Sequence, residues 1–274
     1  MNARALAAWS AAAVTMALST NNPAYRAVVV LCALNVIVAR RRREARARPL
    51  LIAALVATAV STLITVLLSH TGTHVLIELP EWLPVAGGRL TTESLAYGVA
   101  TGLGIAAALL AVAPLTLVTE PHELVDALPS WLARTGAAIG TALNLMPAMA
   151  RSASEIRDAQ RMRGWRGRRV REWPDVAVPV VLTAIESSLT LAEAMEARGY
   201  GTGARTHLAP ASWSLRDAVI ALVACASGVA FIVMRMAGVA ADWYPFPTLT
   251  PPAVSALALV PAIALILPAL VSAP

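Results

Sequence analysis

Two short motifs in the middle of the chain each place an arginine directly before a glycine at the end of a helix-favouring run. The first is Gln160-Arg161-Met162-Arg163-Gly164 and the second is Glu196-Ala197-Arg198-Gly199. Glycine just past a helix end readily adopts the left-handed conformation that caps the helix, and the helix dipole favours arginine in the last turn. A guanidinium held there can form paired hydrogen bonds with carboxylates of a partner. Two well-capped helices with no further role are the plainer alternative.

Other residues that could perform chemistry form no convincing site. The chain contains no lysine, so the lysine of a phosphate-binding Walker A loop is missing. His70 and His74 would bind a metal together only on a helix, which Gly72 between them disfavours. Cys32 and Cys225 lie in separate apolar runs, which argues against a disulfide or a thiolate metal site. We therefore expect no enzymatic activity and no cofactor.

The composition is that of a membrane protein. Of the 274 residues, 58% are hydrophobic and 14% are charged, and the mean hydropathy is +0.66. Soluble domains contain about a quarter charged residues, whereas a bilayer span needs about 20 mostly apolar residues in succession. The composition therefore excludes an ordinary soluble enzyme or binding domain.

Six apolar runs are candidates for membrane spans, and they cover residues 5–20, 24–39, 49–69, 93–118, 215–238 and 252–271. The first two are short for a bilayer of about 30 Å and would alternatively form a shallow hairpin that turns at residues 21–23. The sequence predicts an all-α polytopic membrane protein with about six transmembrane helices. A block of amphipathic helices is expected between the fourth span and the fifth.

The distribution of arginine predicts the orientation, because loops that stay in the cytoplasm retain basic residues near the ends of spans. Residues 40–48 contain six arginines and residues 119–212 contain eleven, whereas residues 70–92 contain one and residues 241–251 none. We expect a multi-pass protein of the plasma (inner) membrane with its N-terminus in the cytoplasm. The predicted organisation is a transmembrane region over 1–118, a cytoplasmic helical block over 119–212 and a second transmembrane region over 213–274.

Glycine and proline divide the cytoplasmic block into three predicted helices, which cover about 121–135, 137–163 and 174–199. The first begins at Pro121 among acidic residues that suit a helix N-terminus. The second and third carry apolar residues at three- and four-residue steps, which predicts one apolar face on each. Because charged residues interrupt both faces, neither helix is expected to span the membrane.

The sequences AQRMRG (159–164) and AMEARGYG (194–201) resemble the paired Ala-Arg-Gly motifs of the T component of energy-coupling factor transporters, the transmembrane protein of EcfT/CbiQ type. The order of spans, cytoplasmic block and C-terminal span region is similar over most of the chain. The first motif departs at Met162, where the family usually has alanine, while Gln160, Arg163 and Gly164 fit.

This resemblance implies a coupling protein that is not itself an enzyme. A T component joins a substrate-binding membrane S component to a pair of ATP-binding-cassette ATPases, and its two arginine-bearing helix ends dock on those ATPases. Arg163 would dock on one ATPase and Arg198 on the other, and closing of the ATPases would move the coupling helices so that the S component opens inward. The S component would bind the substrate, a vitamin or a transition-metal ion such as cobalt or nickel. The implied ATPase-coupling residues are Gln160, Arg161, Met162, Arg163, Gly164, Glu196, Ala197, Arg198 and Gly199.

A self-sufficient membrane permease that carries its own substrate is the alternative function. The absence of ionisable residues from the predicted span midplanes argues against it. The basic run of residues 166–171 suits anionic lipid head groups, and nucleic acid is a poor partner for a chain tethered to a membrane.

Several other side chains have two interpretations each. Trp165 and Trp173 suit the membrane interface or packing between the coupling helices. Gly102 and Gly104 allow close approach of an S component or of a neighbouring span.

Charged side chains outside the motifs are expected to be solvated or to extend towards head groups. Arg26 and Arg235 lie near span ends, from which they can reach the head groups. The acids Glu186, Glu193 and Glu196 are expected on a solvated face, with pairing to Arg157, Arg161 or Arg163 as the alternative.

The orientation makes a direct prediction. A cysteine introduced by Gly87→Cys is expected to react with a membrane-impermeant thiol reagent added to intact cells, whereas one introduced by Arg168→Cys is expected to react only after the membrane is opened. The reverse labelling pattern would overturn the predicted topology.

Overall fold

The structure is a computed structural model that describes residues 2–40, 46–69, 71–79, 88–128, 132–167, 170–199 and 213–270. The chain forms two compact units, one of residues 1–124 and 213–274 and the other of residues 125–212. The helices of the first unit are α1 (Ala3–Ser19), α2 (Pro23–Arg40), α3 (Arg48–Leu68), α4 (Thr92–Val118), α8 (Leu215–Met236), α9 (Ala256–Ala264) and α10 (Leu267–Leu270), and α5 (Pro121–Asp126) contains the boundary between residues 124 and 125. The second unit contains α6 (Ala133–Met162), a 3-10 turn (Val170–Glu172) and α7 (Pro174–Ala197).

The predicted fold class, an all-α polytopic membrane protein, is confirmed. Within the described residues, five helices are long and apolar enough to cross a membrane, namely α2, α3, α4, α7 and α8, and α1 is a shorter apolar helix. The described sheet is one antiparallel pair, β1 (Val75–Leu79) with β2 (Gly88–Thr91). The two strands pair with Val75 opposite Thr91 and Leu79 opposite Gly88.

The candidate span over 252–271 does not form one continuous helix. The chain forms α9 and α10 there, and the two helices are separated by Leu265 and Ile266. Pro268 has no N–H to donate to the carbonyl of Ala264, and its ring crowds that carbonyl. The continuous α-helix therefore stops at Ala264.

The predicted helix break near residue 136 is also wrong, because α6 begins at Ala133 and contains Gly136 in its first turn. A Cβ on Gly136 would lie 3.5 Å from Leu128 Cδ1. This distance is an ordinary van der Waals contact, so the first turn of α6 packs on the preceding segment at Gly136. The helix predicted over 121–135 is the shorter α5, which ends at Asp126, whereas the prediction that a helix begins near Pro174 is confirmed.

Helix α4 lies against α1, α2 and α3, and small residues make this packing close. A Cβ on Gly102 would lie 2.7 Å from the backbone oxygen of Thr58, and one on Gly98 would lie 3.0 Å from that of Thr62. The Thr58 hydroxyl also donates to the Gly102 carbonyl at 3.2 Å. The small-residue face predicted in this span therefore serves packing within the chain, which is one of the two interpretations left open.

Arg26 is buried inside the bundle, so the expectation that it extends towards head groups is wrong. Its guanidinium donates to the carbonyls of Ala17 and Ala100 at 3.3 and 2.7 Å and to the side-chain oxygen of Asn21 at 3.0 Å. A Cβ on Gly104 would lie 2.6 Å from its Cζ. Because a buried guanidinium must satisfy its donors, Arg26 holds α1, α2 and α4 together.

One end of the first unit, which we call the hairpin end, brings together Asn21, Glu93 and residues 237–255. Arg235 donates to the Ser19 carbonyl at 3.0 Å and pairs with Asp242, so it too is held within the protein. Asp242 accepts from the Asn21 N–H at 3.3 Å.

Glu93 is fully buried at the hairpin end and anchors the strand pair. Its carboxylate bonds His74 Nδ1 at 2.8 Å and accepts from the Thr73 hydroxyl at 3.1 Å. His74 is thus engaged by a carboxylate, His70 lies outside the described residues, and no group of three potential metal ligands occurs within the described part of the chain.

The opposite end, which we call the terminal end, contains the start of α1 and the start of α8. The Asn2 N–H donates to Asp217 at 3.0 Å. Arg40, at the end of α2, donates through Nε and Nη2 to the Pro268 carbonyl at 3.3 and 3.2 Å. Because α4 begins at the hairpin end beside Glu93, it ends at the terminal end.

The close packing of α4 on α3 predicts a sharp cost for a larger residue. The substitution Gly102→Leu is expected to lower the free energy of unfolding by about 2 kcal/mol, because its Cβ would clash with the α3 backbone. Val112→Leu, on the exposed face of the same helix, is the control and is expected to have little effect. Thermal unfolding in detergent measures both, and equal melting temperatures would contradict the packing.

Candidate coupling site

The first arginine motif forms a complete glycine-terminated helix end. Helix α6 ends at Met162, Arg163 is the C-cap residue, and Gly164 has a φ of +92°. The Gly164 N–H donates to the Arg161 carbonyl at 3.0 Å and the Trp165 N–H donates to the Gln160 carbonyl at 2.9 Å. These two bonds are those of the Schellman motif.

The second motif ends α7 in the same way. Arg198 is the C-cap residue, Gly199 has a φ of +73°, and the Gly199 N–H donates to the Glu196 carbonyl at 2.8 Å. The backbone angles of the two C-cap arginines are nearly identical, with φ −84° and ψ 6° at Arg163 and φ −87° and ψ 6° at Arg198. The glycine caps predicted from the sequence are confirmed. Tyr200 and Gly201, the last residues of the second motif, lie outside the described residues.

The two C-cap arginines carry accessible guanidinium groups. Both residues are exposed, and neither side chain makes a hydrogen bond or ion pair with any other described residue. Arg161, by contrast, pairs with Asp158 of its own helix at 3.4 Å. Arg163 and Arg198 therefore have free donors with which to bind carboxylates of another chain.

Some of the remaining predicted site residues are exposed, whereas Gln160 makes a hydrogen bond within the chain. Met162 is 85% exposed, so its apolar side chain extends into solvent beside Arg163. Glu196 and Ala197 are exposed at the second end. Gln160 is engaged within the chain, because its amide donates to the Asp175 carbonyl at 3.1 Å.

The two motifs are not brought together into one site. Arg163 lies next to the start of α7, since Gln160 contacts Asp175, whereas Arg198 lies at the other end of that 24-residue helix. A helix of that length is about 36 Å long. The arrangement offers two separate cationic ends for two separate binding surfaces.

Trp165 and Trp173 pack against each other in the connection between α6 and α7, which favours the packing interpretation of these two residues. Their ring centroids are 6.2 Å apart at an interplanar angle of 89°. Trp165 Nε1 also donates to the Glu172 carbonyl at 2.8 Å. In the same connection Arg166 and Arg171 are exposed, and Arg168 and Arg169 lie outside the described residues.

The contact between the end of α6 and the start of α7 also involves Asp175 and Pro179, which were not predicted from the sequence as site residues. Pro179 is the sixth residue of α7 and lacks an N–H for the carbonyl four residues earlier, which is that of Asp175. A proline at that position was the available signal for an unpaired carbonyl.

Helix α7 carries an exposed apolar stripe. Val178, Val181, Leu182, Ile185 and Leu189 are each more than half exposed. Part of this stripe forms an open apolar groove with Met149 of α6. The acids Glu186, Glu193 and Glu196 are exposed, and none pairs with an arginine within the described residues. The stripe is therefore an apolar surface with no partner within the described part of its unit.

Comparison with known proteins finds one matching family model and three similar relatives. A family model described as cobalt transport protein, CbiQ, matches residues 1–208. The energy-coupling factor transporter transmembrane protein EcfT of Exiguobacterium sibiricum is 31% identical over 137 residues, which is 44% of this chain and 52% of that protein. The EcfT proteins of Bacillus selenitireducens and Staphylococcus aureus are 28% identical over 186 residues and 25% over 178 residues, or 61% and 59% of this chain. The chain aligns with 52%, 66% and 65% of the lengths of these three relatives.

The positive φ of Gly164 predicts that the first helix end is sensitive to a side chain there. Gly164→Ala is expected to cost about 1 kcal/mol in local stability, because the left-handed conformation is unfavourable for alanine. Gly140→Ala, inside the same helix, is the control and is expected to stabilise it by about 0.5–1 kcal/mol. Hydrogen exchange at the amides of residues 164 and 165 should accelerate in the first variant only. Unchanged exchange would contradict the cap.

Proposed function

The chain belongs to the CbiQ cobalt transport protein family, and from this membership we propose that it is the transmembrane coupling component of an energy-coupling factor importer. In this role it joins two cytoplasmic ATP-binding-cassette ATPases to a membrane S component that binds the substrate. The observation that carries the proposal is the pair of equivalent C-cap arginines, one at the end of α6 and one at the end of α7.

The chemistry of the two ends suits docking on ATPases. An arginine remains charged at all physiological pH values and binds carboxylates through two parallel hydrogen bonds. The guanidinium at each end stands beside a glycine turn, with no intrachain acceptor among the described residues. The chain contains no lysine for a Walker A loop, so ATP hydrolysis is assigned to the partner ATPases. Arg163 docks on one ATPase and Arg198 on the other.

The placement of α6 and α7 on one side of the membrane is supported by how the chain leaves the first unit. Helix α4 ends and α8 begins at the terminal end, the latter through the contact of Asn2 with Asp217. The intervening segment must therefore cross the membrane an even number of times. Helix α7 is apolar and long enough to cross, but α6 is not among the candidate spans. We assign this segment, with its eleven arginines, to the cytoplasmic side.

The exposed stripe of α7 is assigned to the S component. A helix that carries five half-exposed aliphatic side chains needs an apolar partner. An S component is a hydrophobic membrane protein, and contact with the stripe allows motion of α7 to reach it. The substrate is a vitamin or a transition-metal ion, and the S component binds it. The family description, cobalt transport protein, favours a metal ion.

The self-sufficient permease is the weaker alternative, because residues 237–255 lie across the hairpin end of the helices. The Asn22 amide donates to the Ala253 carbonyl at 2.8 Å. The ring of Tyr97 stacks on that of Tyr244 with centroids 6.1 Å apart. These contacts favour a helix bundle held closed at that end over one that opens a substrate pathway.

The docking role predicts a strong effect of charge reversal. Arg198→Glu is expected to abolish co-purification of the ATPases and substrate uptake while membrane insertion is retained, because a binding cation becomes a repelled anion. Arg163→Glu should act in the same way. Arg157→Glu, an exposed arginine on α6 outside the motif, is the control and should leave both activities intact.

Two results would contradict the proposed function. One is unchanged ATPase association in the double variant Arg163→Glu/Arg198→Glu. The other is substrate uptake by the purified chain alone in lipid vesicles, which would favour the permease.

A further inference from the structure

We infer that Gln160, Trp165 and Trp173, which we call the corner cluster, are positioning residues that fasten the Arg163 end of α6 to the first turns of α7. The two arginine-bearing ends then belong to one stiff body, with α7 as the spacer between them. The role of this body in transmitting motion from the ATPases rests on the proposed function, whereas the contacts of the corner cluster do not depend on it.

The first contact of the corner cluster depends on a proline. Within an α-helix the carbonyl of Asp175 would accept a hydrogen bond from the N–H of residue 179, but residue 179 is proline and has none. The amide of Gln160 donates to this carbonyl at 3.1 Å. Pro179 thus leaves an acceptor open in the first turn of α7, and α6 supplies its donor.

The second set of contacts folds the connection between the helices onto itself. Trp165 Nε1 donates to the Glu172 carbonyl at 2.8 Å, and its ring meets that of Trp173 edge to face. Gly167, with a φ of +62°, lies so close that a Cβ there would be 2.7 Å from Trp165 Cη2. Such aromatic pairs add stability beyond their buried area. Among the described residues of the connection, these contacts tie the end of α6 to the start of α7, and we infer that they limit hinge motion between the helices.

The consequence is a fixed separation of the two docking arginines. From Asp175 to Arg198 the helical rise is about 35 Å, and the corner cluster joins Arg163 to the Asp175 end. Closing of the ATPases would then displace or rotate this body as a whole, which carries the motion to the apolar stripe of α7. A loose corner would let the Arg163 end move without α7.

The test measures the distance between spin labels on the full chain in lipid nanodiscs by pulsed electron paramagnetic resonance. The labels are attached at Met162→Cys and Glu193→Cys, both exposed positions, after Cys32→Ala and Cys225→Ala. Two variants weaken the contact between Gln160 and Asp175 in different ways. Gln160→Glu removes the donor at constant size, and Pro179→Ala restores the helical N–H that competes for the Asp175 carbonyl.

We expect one narrow distance distribution in the reference chain and a distribution about twofold broader in each variant, since Gln160→Glu removes the donor and Pro179→Ala adds a second donor at the same carbonyl, which weakens the bond from Gln160. Pro179→Ala is informative because alanine strengthens α7 itself, so a purely local role for Pro179 would predict a narrower distribution. The matched controls are Glu155→Gln, on an exposed face of α6, and Pro147→Ala, inside α6 and away from the corner. Both should leave the width unchanged.

The inference is overturned by a broad distribution in the reference chain, or by variant distributions as narrow as those of the controls. Co-purification with the ATPases, measured on the unlabelled chain and on its unlabelled Pro179→Ala variant, separates this result from the proposed function. Pro179→Ala, which lies outside both motifs, should retain both ATPases and lose most of its uptake. Failure of the unlabelled parent chain to bind ATPases would refute the proposed function whatever the distance distribution shows.

Discussion

The proposed function depends on how two helices stop. A glycine in the left-handed conformation turns the backbone away at Gly164 and again at Gly199, and the residue before each is an arginine whose backbone is nearly the same at both ends. The backbone N–H groups of the turn donate to carbonyls of the last helical turn, so the arginine side chain is not needed as a cap. Both arginines are exposed and make no side-chain bond within the described residues, so their donors are available to another chain.

The first unit is held together by close helix packing and by buried polar contacts. Its helices approach closely where α4 has glycine and α3 has threonine, and a buried guanidinium at Arg26 bonds backbone oxygens from two other helices. At the hairpin end Glu93, Asp242 and Arg235 fasten the loops to the helices. These contacts hold the helices of the first unit together.

Some of this architecture could be predicted from sequence because it is governed by local rules. The apolar runs, the Arg-Gly helix ends and the start of α7 at Pro174 each follow from residues near them in the chain. Local signals were also overlooked, since Pro268 breaks the last apolar run and Pro179 frees the carbonyl of Asp175.

Other features depend on contacts between residues that are distant in the sequence, so they could not be predicted from it. Nothing near Arg26 in the sequence indicates that its guanidinium reaches Ala100, 74 residues away. The bond from Gln160 to Asp175 likewise depends on the path of the connection. Gly136 lies in the first turn of α6, although glycine disfavours a helix. For Arg26 and Gln160 the deciding partner lies on another helix, so the local sequence does not indicate it.

Docking of both helix ends on ATPases can be tested with a photo-crosslinking amino acid placed at position 163 or at position 198, followed by illumination of membranes of the native host. We expect an ATP-binding-cassette subunit, identified by mass spectrometry, to be captured from both positions and not from position 157. Capture of lipid alone, or of an ATPase from only one of the two ends, would contradict docking of both ends.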